Sequence, residues 1–582
     1  MNLRSVVWLA GKLAAPRGIA RYRRLCRQAA EVQERVLRQK LERRRDSAFG
    51  RDHGFAHIHS ADEFRRRVPL LTYEDHRPYI DRVRRGELAA LLAPDDELLA
   101  FHLSSGTTAT PKYIPVTDEF FELQKRIWYT YHAFTFRACP GIIRAKIFPL
   151  YSPTTEKFTD RGVPCGSDSG LLAERQSRLL QDLYAVPREA YQIRTMDAKY
   201  YALARFALEQ EVSLVIGANP GMIAAIAATI DEHKEQFVRE VADGTFSPPE
   251  EIPRDLHVRL AELARWRKNP DRARYLDWLV QRSGRLLPRQ YWPDLALIAT
   301  WKGGTMLLGL EELRRYFGPV AVRELGLHSS EGRFTVTVGH VREREQNCLA
   351  LTNIFYEFIP ESAAAEPQPR TLLAHELEVG GKYLLVVTTS SGLYRYQMDD
   401  LVEATGHFER APVLRFLNKR SGIIRIGPAK IYEYQLVEAV RDASRLADAR
   451  VRYFRVYPGP RDAQPPYLEA LFEEDVPPPT RGQKPATENW IELVDRCLAR
   501  VSADYEAARA AGRIARMSLR LIPAGTFERQ KREVVRERGI RLAEQYKHRF
   551  YVDERQHERH FRVLAEDVPE VGTADGVSLR LS

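Results

Sequence analysis

Hydrophobic positions along this chain change their period repeatedly, and each change marks an element. From Ala29 to Arg45 the text is helix-forming, Asp52-His53-Gly54-Phe55 breaks it, and Ala61 to Arg66 predicts a second helix. Upstream, Val6-Val7-Trp8-Leu9-Ala10 follows Arg4, but Lys12 interrupts the apolar run, so the start of an amphipathic helix is expected and not a secretory core. Leu98-Leu99-Ala100-Phe101-His102-Leu103 is a short apolar run that predicts a strand feeding directly into a hydroxyl-rich loop. Val212 to Ile216, Leu295 to Ala299 and Ala321 to Leu325 predict strands between helical stretches, the βαβ alternation of an α/β domain. β-Branched and aromatic residues around Tyr383 to Thr389 and Leu401 to Phe408 predict a small β subdomain.

Beyond about Phe416 the pattern shifts. A helix is expected near Tyr434 to Ser444, strands near Val451 to Tyr457 and Tyr467 to Phe472, then Pro477-Pro478-Pro479. A helix near Asn489 to Arg509, a strand near Met517 to Ile522 and a helix after Thr526 complete the reading. The expected organisation is a large α/β domain over residues 1–417 and a smaller α+β domain over 418–582.

Composition narrows the class. With 44% hydrophobic and 29% charged residues and no apolar stretch long enough to span a bilayer, a soluble, cytoplasmic protein with no membrane span is expected. Cys26, Cys139, Cys165, Cys348 and Cys497 are far apart in sequence, which argues against a metal site built from a close pair and for a reducing compartment. The net charge of +11 raises the question of nucleic acid, but Arg43-Arg44-Arg45 and Arg65-Arg66-Arg67 sit among acidic neighbours as solvated helix faces do. No nucleic acid is expected, and attraction of anionic substrates is the milder use of that charge.

The chemistry concentrates in Ser104-Ser105-Gly106-Thr107-Thr108-Ala109-Thr110-Pro111-Lys112. A Gly-containing, hydroxyl-rich turn after a strand offers backbone N–H groups and side-chain donors to a polyphosphate, and Lys112 adds a point charge. Ser-Gly alone would be an ordinary turn. It is not the nucleotide-triphosphatase loop, in which the lysine follows glycine directly; here Lys112 follows Pro111.

This loop is similar to the signature of adenylate-forming enzymes. Over most of its length the chain more closely resembles the auxin-responsive acyl-acid-amido synthetases, a family with bacterial relatives among which it would be placed. The landmarks are Val68-Pro69 with Tyr73, Tyr113-Ile114-Pro115, Gly217-Ala218-Asn219-Pro220 and Trp292-Pro293-Asp294-Leu295. Later come Phe355-Tyr356-Glu357-Phe358-Ile359-Pro360, Gly392-Leu393-Tyr394-Arg395-Tyr396, Gly525-Thr526-Phe527 and Gln545-Tyr546-Lys547.

The resemblance implies a two-domain α/β adenylate-forming fold with a mobile C-terminal domain. It implies ATP and Mg2+, with Ser104, Ser105, Gly106, Thr107, Thr108, Lys112 and Ser330 on the nucleotide and Glu331 on the metal. Standing alone, Ser329-Ser330-Glu331 would read as a helix start. Leu327 stands where the family carries an aromatic residue. Within Tyr394-Arg395-Tyr396-Gln397-Met398-Asp399-Asp400, the resemblance assigns Asp400 to the ribose hydroxyls, with Asp399 replacing a usual glycine. Arg395 reads equally as a structural ion-pair partner beneath the site. Between Pro412 and Leu436, Phe416, Lys419, Arg420, Lys430 and Glu433 fall at matching places, although Lys419 replaces an arginine and Ala429 an aspartate. Lys419 and Arg420 are assigned to the nucleotide, and Lys430 and Lys547 to catalysis.

The implied reaction is attack of a small carboxylic acid on the α-phosphorus of ATP, then transfer of the acyl group to an amine, an amino acid, by a monomeric enzyme. An acyl- or aryl-CoA ligase differs only in the second nucleophile, and a catalytically weakened nucleotide-binding protein is the rival from another class. Trp128, Tyr129 and Tyr131 are candidate liners of an acid pocket, although aromatics at this spacing equally suit a core. His102 and His328 flank the two nucleotide motifs and read first as packing residues.

Overall fold

A computed structural model describes residues 3–103, 111–340, 345–475, 486–538, 547–553, 565–567 and 572–573. The chain divides into two compact units. The first comprises Met1–Lys302, Leu313–Phe416 and Gly539–Gln545; the second comprises Gly303–Glu312, Leu417–Arg538 and Tyr546–Ser582.

The first unit opens with two long helices, Leu3–Arg27 and Ala29–Arg43. Val32, Val36, Leu37 and Leu41 recur at helical spacing and are buried, which is why the second helix packs along one face. Gln33 lies on that face and is spent on backbone: its Nε2 donates to the carbonyls of Leu351 (2.8 Å) and Ile354 (2.9 Å), and its Oε1 accepts from Tyr356 N–H at 2.9 Å. The expected break follows, with Gly54 in the left-handed region at φ +63°, where a side chain would be strained.

Lys146–Pro149, Val212–Ile216, Leu297–Thr300 and Val322–Glu324 form a parallel sheet in that order. Helices between them, among them Pro220–Glu232 and Pro270–Ser283, complete the βαβ arrangement anticipated from the alternation. The β region near Tyr383 is more than a small subdomain. It is a seven-stranded sheet that recruits Thr335–Val338 and Gln346–Leu349 as well as Phe355–Pro360, Leu372–Leu373, Lys382–Thr388, Tyr396–Phe408 and Ala411–Lys419. Cys26 and Cys348, remote in sequence, bring their Sγ atoms within 3.8 Å beside it, and all five cysteines are free.

In the second unit the helices Glu433–Leu446 and Ala486–Val501 pack over a sheet ordered Arg455–Pro458, Leu468–Glu473, Ser518–Ile522 and Ala565–Asp567. The single helix expected over Asn489 to Arg509 is two. Ser502 ends the first and caps Ala503–Ala510, its Oγ accepting from Tyr505 N–H at 3.4 Å. Leu308 joins this unit's apolar core and Glu312 accepts from Arg450 and Arg452 at 2.6 and 3.1 Å, which ties residues 303–312 to it. Pro477-Pro478-Pro479 lies outside the described residues. Among the described residues no helix is long and apolar enough to cross a membrane.

His76 and His548 are buried as neutral imidazoles. His76 Nδ1–H donates to Thr72 O (2.8 Å) and its Nε2 accepts from Tyr394 N–H (3.0 Å), while burial pushes its pKa down to about 4. His548 donates to Phe454 O at 2.8 Å, and burial, then Arg455, push its pKa down to about 3. An unfolded histidine titrates near 6.5, so between that value and the folded pKa the unfolded chain binds the extra proton. The stabilisation is complete above about pH 6.5 and is lost as pH falls toward 4, at up to ~1.4 kcal/mol per pH unit for each group. Tryptophan fluorescence reports mainly the first unit, because only Trp490 of the 7 tryptophans lies in the second. Urea titrations followed this way between pH 7 and 4 should show that slope, and His76→Gln should flatten it by about 1.4 kcal/mol per unit. An unchanged slope would remove His76 from the acid response.

Candidate functional site

The first unit gathers its candidate residues around the hydroxyl of Tyr396. The strand Leu98–Leu103 runs antiparallel to Tyr113–Thr117, so the intervening segment, which carries Ser104, Ser105, Gly106, Thr107 and Thr108, leaves and returns at one end of this pair. Those five residues lie outside the described residues. Lys112, at the return, donates from Nζ to Tyr396 Oη at 3.0 Å and lies 5.5 Å from the ring centre of Tyr73. Tyr73 Oη in turn accepts from Tyr113 N–H at 2.7 Å, which explains why this tyrosine travels with the loop as a landmark.

Ser330 and Glu331 form the tip of a tight hairpin, Ser329 pairing with Gly332 and His328 with Arg333. The helix start that Ser-Ser-Glu suggests in isolation does not form, because the flanking residues pair as strands. Both hydroxyls turn onto the carboxylate instead: Ser329 Oγ donates to Glu331 Oε2 at 2.6 Å and Ser330 Oγ at 2.8 Å. Glu331 is thereby held as an oriented anion with little exposure (6%). Gly332 sits at φ +145°, and a Cβ there would stand 2.9 Å from Ile354 Cδ1, so the tip needs glycine. His102 Nδ1–H donates to Ser330 O at 3.2 Å, and burial lowers its pKa; it positions the hairpin as a neutral ring.

Asp400 reaches the same neighbourhood through a bulge. Lys382–Thr388 pairs with Tyr396–Phe408 at Leu384↔Leu401 and then at Val386↔Gln397, a step of two residues against four. Asp399 absorbs the excess at φ +59° and is exposed, while Asp400 turns inward with 4% exposure. This explains the replacement of a usual glycine: aspartate is among the few residues that tolerate the left-handed region. Burial, then Glu331, Asp399 and Asp400, hold the Tyr396 hydroxyl well above its ordinary pKa, a sign that these carboxylates surround it. Lys112 thus donates to a phenol on which three carboxylates act through space.

Arg395, left open between two readings, is an ion-pair partner. Its Nε lies 3.1 and 3.0 Å from the two oxygens of Glu357, and its Nη1 donates to Arg65 O (2.8 Å) and Val68 O (2.5 Å). Leu327 is partly buried, and the aromatic surface near it comes from Trp301 and His328, ring centres 4.8 Å apart. Trp301 was missed in the sequence. Its position directly after the parallel strand Leu297–Thr300 is the signal that was available, since open α/β sheets bind ligands beyond the C-terminal ends of their strands. Trp128 and Tyr131 stack in parallel at 5.2 Å, with Tyr131 fully buried, whereas Tyr129 is 47% exposed and is not a liner of the same surface.

In the second unit Lys430 lies on the hairpin of Ile423–Ile426 and Ala429–Tyr432, opposite Arg425. Ala429 and Ile431 point into the core, so alternation turns Lys430 outward, where Nζ lies 5.6 Å from the ring centre of Tyr432. Lys419 and Arg420 are exposed at the start of this segment. Lys547 is exposed, but its segment is fastened: Glu433 Oε1 accepts from Phe550 N–H (2.7 Å) and Tyr551 N–H (3.1 Å). Since Glu433 follows Lys430 by three residues, the same carboxylate fixes both lysine-bearing segments.

Among the described residues no cluster of three His, Cys, Asp or Glu side chains could cage a metal by itself. The donor set suits Mg2+ in its usual protein setting, in which one or two carboxylates share the ion with phosphate oxygens and water. Glu331 is the carboxylate that fits.

Comparison with known proteins follows the same outline. The GH3 family N-terminal domain matches residues 18–322, the central domain residues 347–419 and the C-terminal domain residues 434–556. The jasmonoyl-L-amino acid synthetase JAR6 of Nicotiana attenuata is 26% identical over 534 residues, covering 88% of this chain and 89% of that one. The indole-3-acetic acid-amido synthetase GH3.3 of Arabidopsis thaliana is 24% identical over 525 residues, 85% of each chain. The solved structure of GH3.15 acyl acid amido synthetase superposes with a TM-score of 0.77 at 21% identity, covering 96% of this chain and 97% of that one, and so shares the fold.

Proposed function

This chain belongs to the GH3 family, and from that premise we propose that it is an ATP-dependent ligase, which adenylates a small carboxylic acid and couples the acyl group to an amino acid, releasing pyrophosphate and AMP. The observation that carries this reading is the convergence of Lys112, Glu331 and Asp400 on Tyr396. A cation, an oriented carboxylate and a second buried carboxylate are the groups that polyphosphate, its magnesium and a ribose require. The named relatives are a jasmonoyl-L-amino acid synthetase and an indole-3-acetic acid-amido synthetase, and amide formation through an acyl-adenylate accounts for this chain's residues.

In this reading the Ser104 to Thr108 loop and Lys112 bind the β- and γ-phosphates, and Ser330 supports the nucleotide from the hairpin tip. Asp400 accepts hydrogen bonds from the ribose hydroxyls, as one carboxylate can from two donors. Glu331 would hold Mg2+, whose contribution is to neutralise phosphate charge. Lys430, Lys547, Lys419 and Arg420 belong to the second unit and would stabilise charge on the α-phosphate as pyrophosphate departs. The aminolysis step needs no further cofactor: the amine nitrogen attacks the acyl carbon, the C–O bond to AMP breaks, and the ammonium proton is lost to solvent.

Exchange of labelled pyrophosphate into ATP across a panel of carboxylic acids tests the first half-reaction, with acid-dependent exchange expected. No exchange with any acid would overturn the ligase reading. Adding amino acids or CoA to the same reaction then identifies the second nucleophile. An amide product is expected, and a thioester would assign the chain to acyl-CoA ligation.

A further inference from the structure

Several buried arginines in this protein hold carboxylates. Arg44 pairs with Asp96 at 3.0 Å, Arg205 with Glu209 at 2.7 Å, Arg323 with Glu345 at 3.3 Å and Arg395 with Glu357 at 2.8 Å. Arg333 differs from these four. It is 7% exposed, yet among the described residues it has no carboxylate within the 4.0 Å of an ion pair. Its Cζ lies 4.3 Å from the ring centre of Trp128, and Nη1 donates to Leu325 O at 3.1 Å. Among the described residues Nε and Nη2 have no hydrogen-bond partner. A guanidinium is a cation at neutral pH. An enclosed guanidinium with no carboxylate at ion-pair distance is costly.

Its surroundings indicate what would complete it. Arg333 follows Glu331 by two residues on the hairpin placed in the nucleotide site. Around it stand the Trp128–Tyr131 stack, His132, whose ring centre is 4.4 Å from that of Trp128, and Asp168, which acts on the guanidinium from beyond ion-pair distance. An aromatic flank beside a cation suits a compact acid with an anion at its far end.

We propose that Arg333 is a specificity-determining residue that receives a second anionic group of the acid substrate, so that the enzyme prefers small dicarboxylic acids to their monocarboxylic counterparts. This rests on the ligase reading above. The reacting carboxylate is the poorer occupant: it loses its charge on becoming an acyl-adenylate, and a guanidinium held on it would stabilise the substrate more than the transition state. A second carboxylate keeps its charge throughout. The amino acid's carboxylate is also less suited, since it arrives after adenylation and requires an open approach, whereas this cation is enclosed.

Pyrophosphate exchange without any amine, using the full-length protein, compares benzoate with benzene-1,3-dicarboxylate and hexanoate with adipate. The wild type should favour the diacid of at least one pair by about tenfold or more in kcat/KM, because a site built to pair a charged group rejects the analogue that lacks it. Arg333→Met should lower that ratio at least about tenfold, and Arg333→Lys should retain part of it. In the wild type the preferred diacid alone should raise the melting temperature where its monoacid at equal concentration does not, a readout independent of whether the Met variant folds. Equal use of both members in each pair, or a Met variant that loses both equally, would overturn the proposal. So would a change confined to the KM of the amino acid. Absence of exchange with every acid would instead remove the ligase reading on which the proposal stands.

Discussion

An Arg395→Met variant is expected to lose about 3–5 kcal/mol of stability, seen as a lower urea midpoint for the first unit by tryptophan fluorescence. The magnitude follows from what is left behind. Glu357 is 1% exposed and would remain as a buried carboxylate, supported only by Thr371 Oγ1 at 2.6 Å. The carbonyls of Arg65 and Val68 would lose their donor as well. Arg395→Lys should recover little, because one ammonium cannot reproduce a fork that reaches a carboxylate and two carbonyls together. Removing both charges in an Arg395→Met, Glu357→Leu double variant should restore much of the loss, since the isolated charge is the expensive element. Wild-type stability in Arg395→Met would show that this pair does not hold the sheet. Arg395 O also accepts from Leu71 N–H at 3.0 Å, and Gln397 N–H donates to Leu71 O at 2.9 Å. Acid activation should therefore fall with the folded fraction, since the chain that leads to Asp400 begins at this anchor.

The same pair shows where sequence reading stops. Whether an arginine serves a ligand or a carboxylate depends on what folds against it, and Glu357 lies on a different strand, 38 residues away. Strands marked by runs of branched residues, such as Val212–Ile216, were legible because their burial on both faces imposes a local signature. Hairpin pairing is less legible: Ser329 pairs with Gly332 and His328 with Arg333 around the Glu331 tip, yet Ser-Ser-Glu by itself carries the text of a helix cap. The motif assigns the ribose to Asp400 over Asp399, and Asp400 is the one that turns inward, for a cause that no residue announces: a register step between two strands. Arg333 carried no motif at all. It becomes conspicuous only when its neighbours are known to place no carboxylate at ion-pair distance. For the hydroxyl-rich loop the motif reading stands as proposed, its central residues lying outside those described.

Replacing Lys430 with alanine is expected to lower pyrophosphate exchange by about a hundred- to a thousandfold, the usual effect of deleting one donor from a charge-stabilising site. Folding should survive. Lys430 projects from the outer side of its hairpin while Ala429 and Ile431 fill the core, so the melting temperature should change little. Lys430→Arg tests the geometry: a planar fork keeps the charge but spreads it, so partial activity is expected where a compact ammonium had been placed. Exchange close to wild type in a folded Lys430→Ala protein would withdraw this residue from the first half-reaction. Lys547 sharpens the test, because Glu433 fastens both segments through the amides of Phe550 and Tyr551. If the two lysines stabilise the same developing charge, the double alanine variant should lose less than the product of the single effects, as residues acting as a unit do. Independent, multiplying losses would assign them to separate interactions, and a Lys547→Ala variant impaired only in amide formation would place that lysine in the second half-reaction.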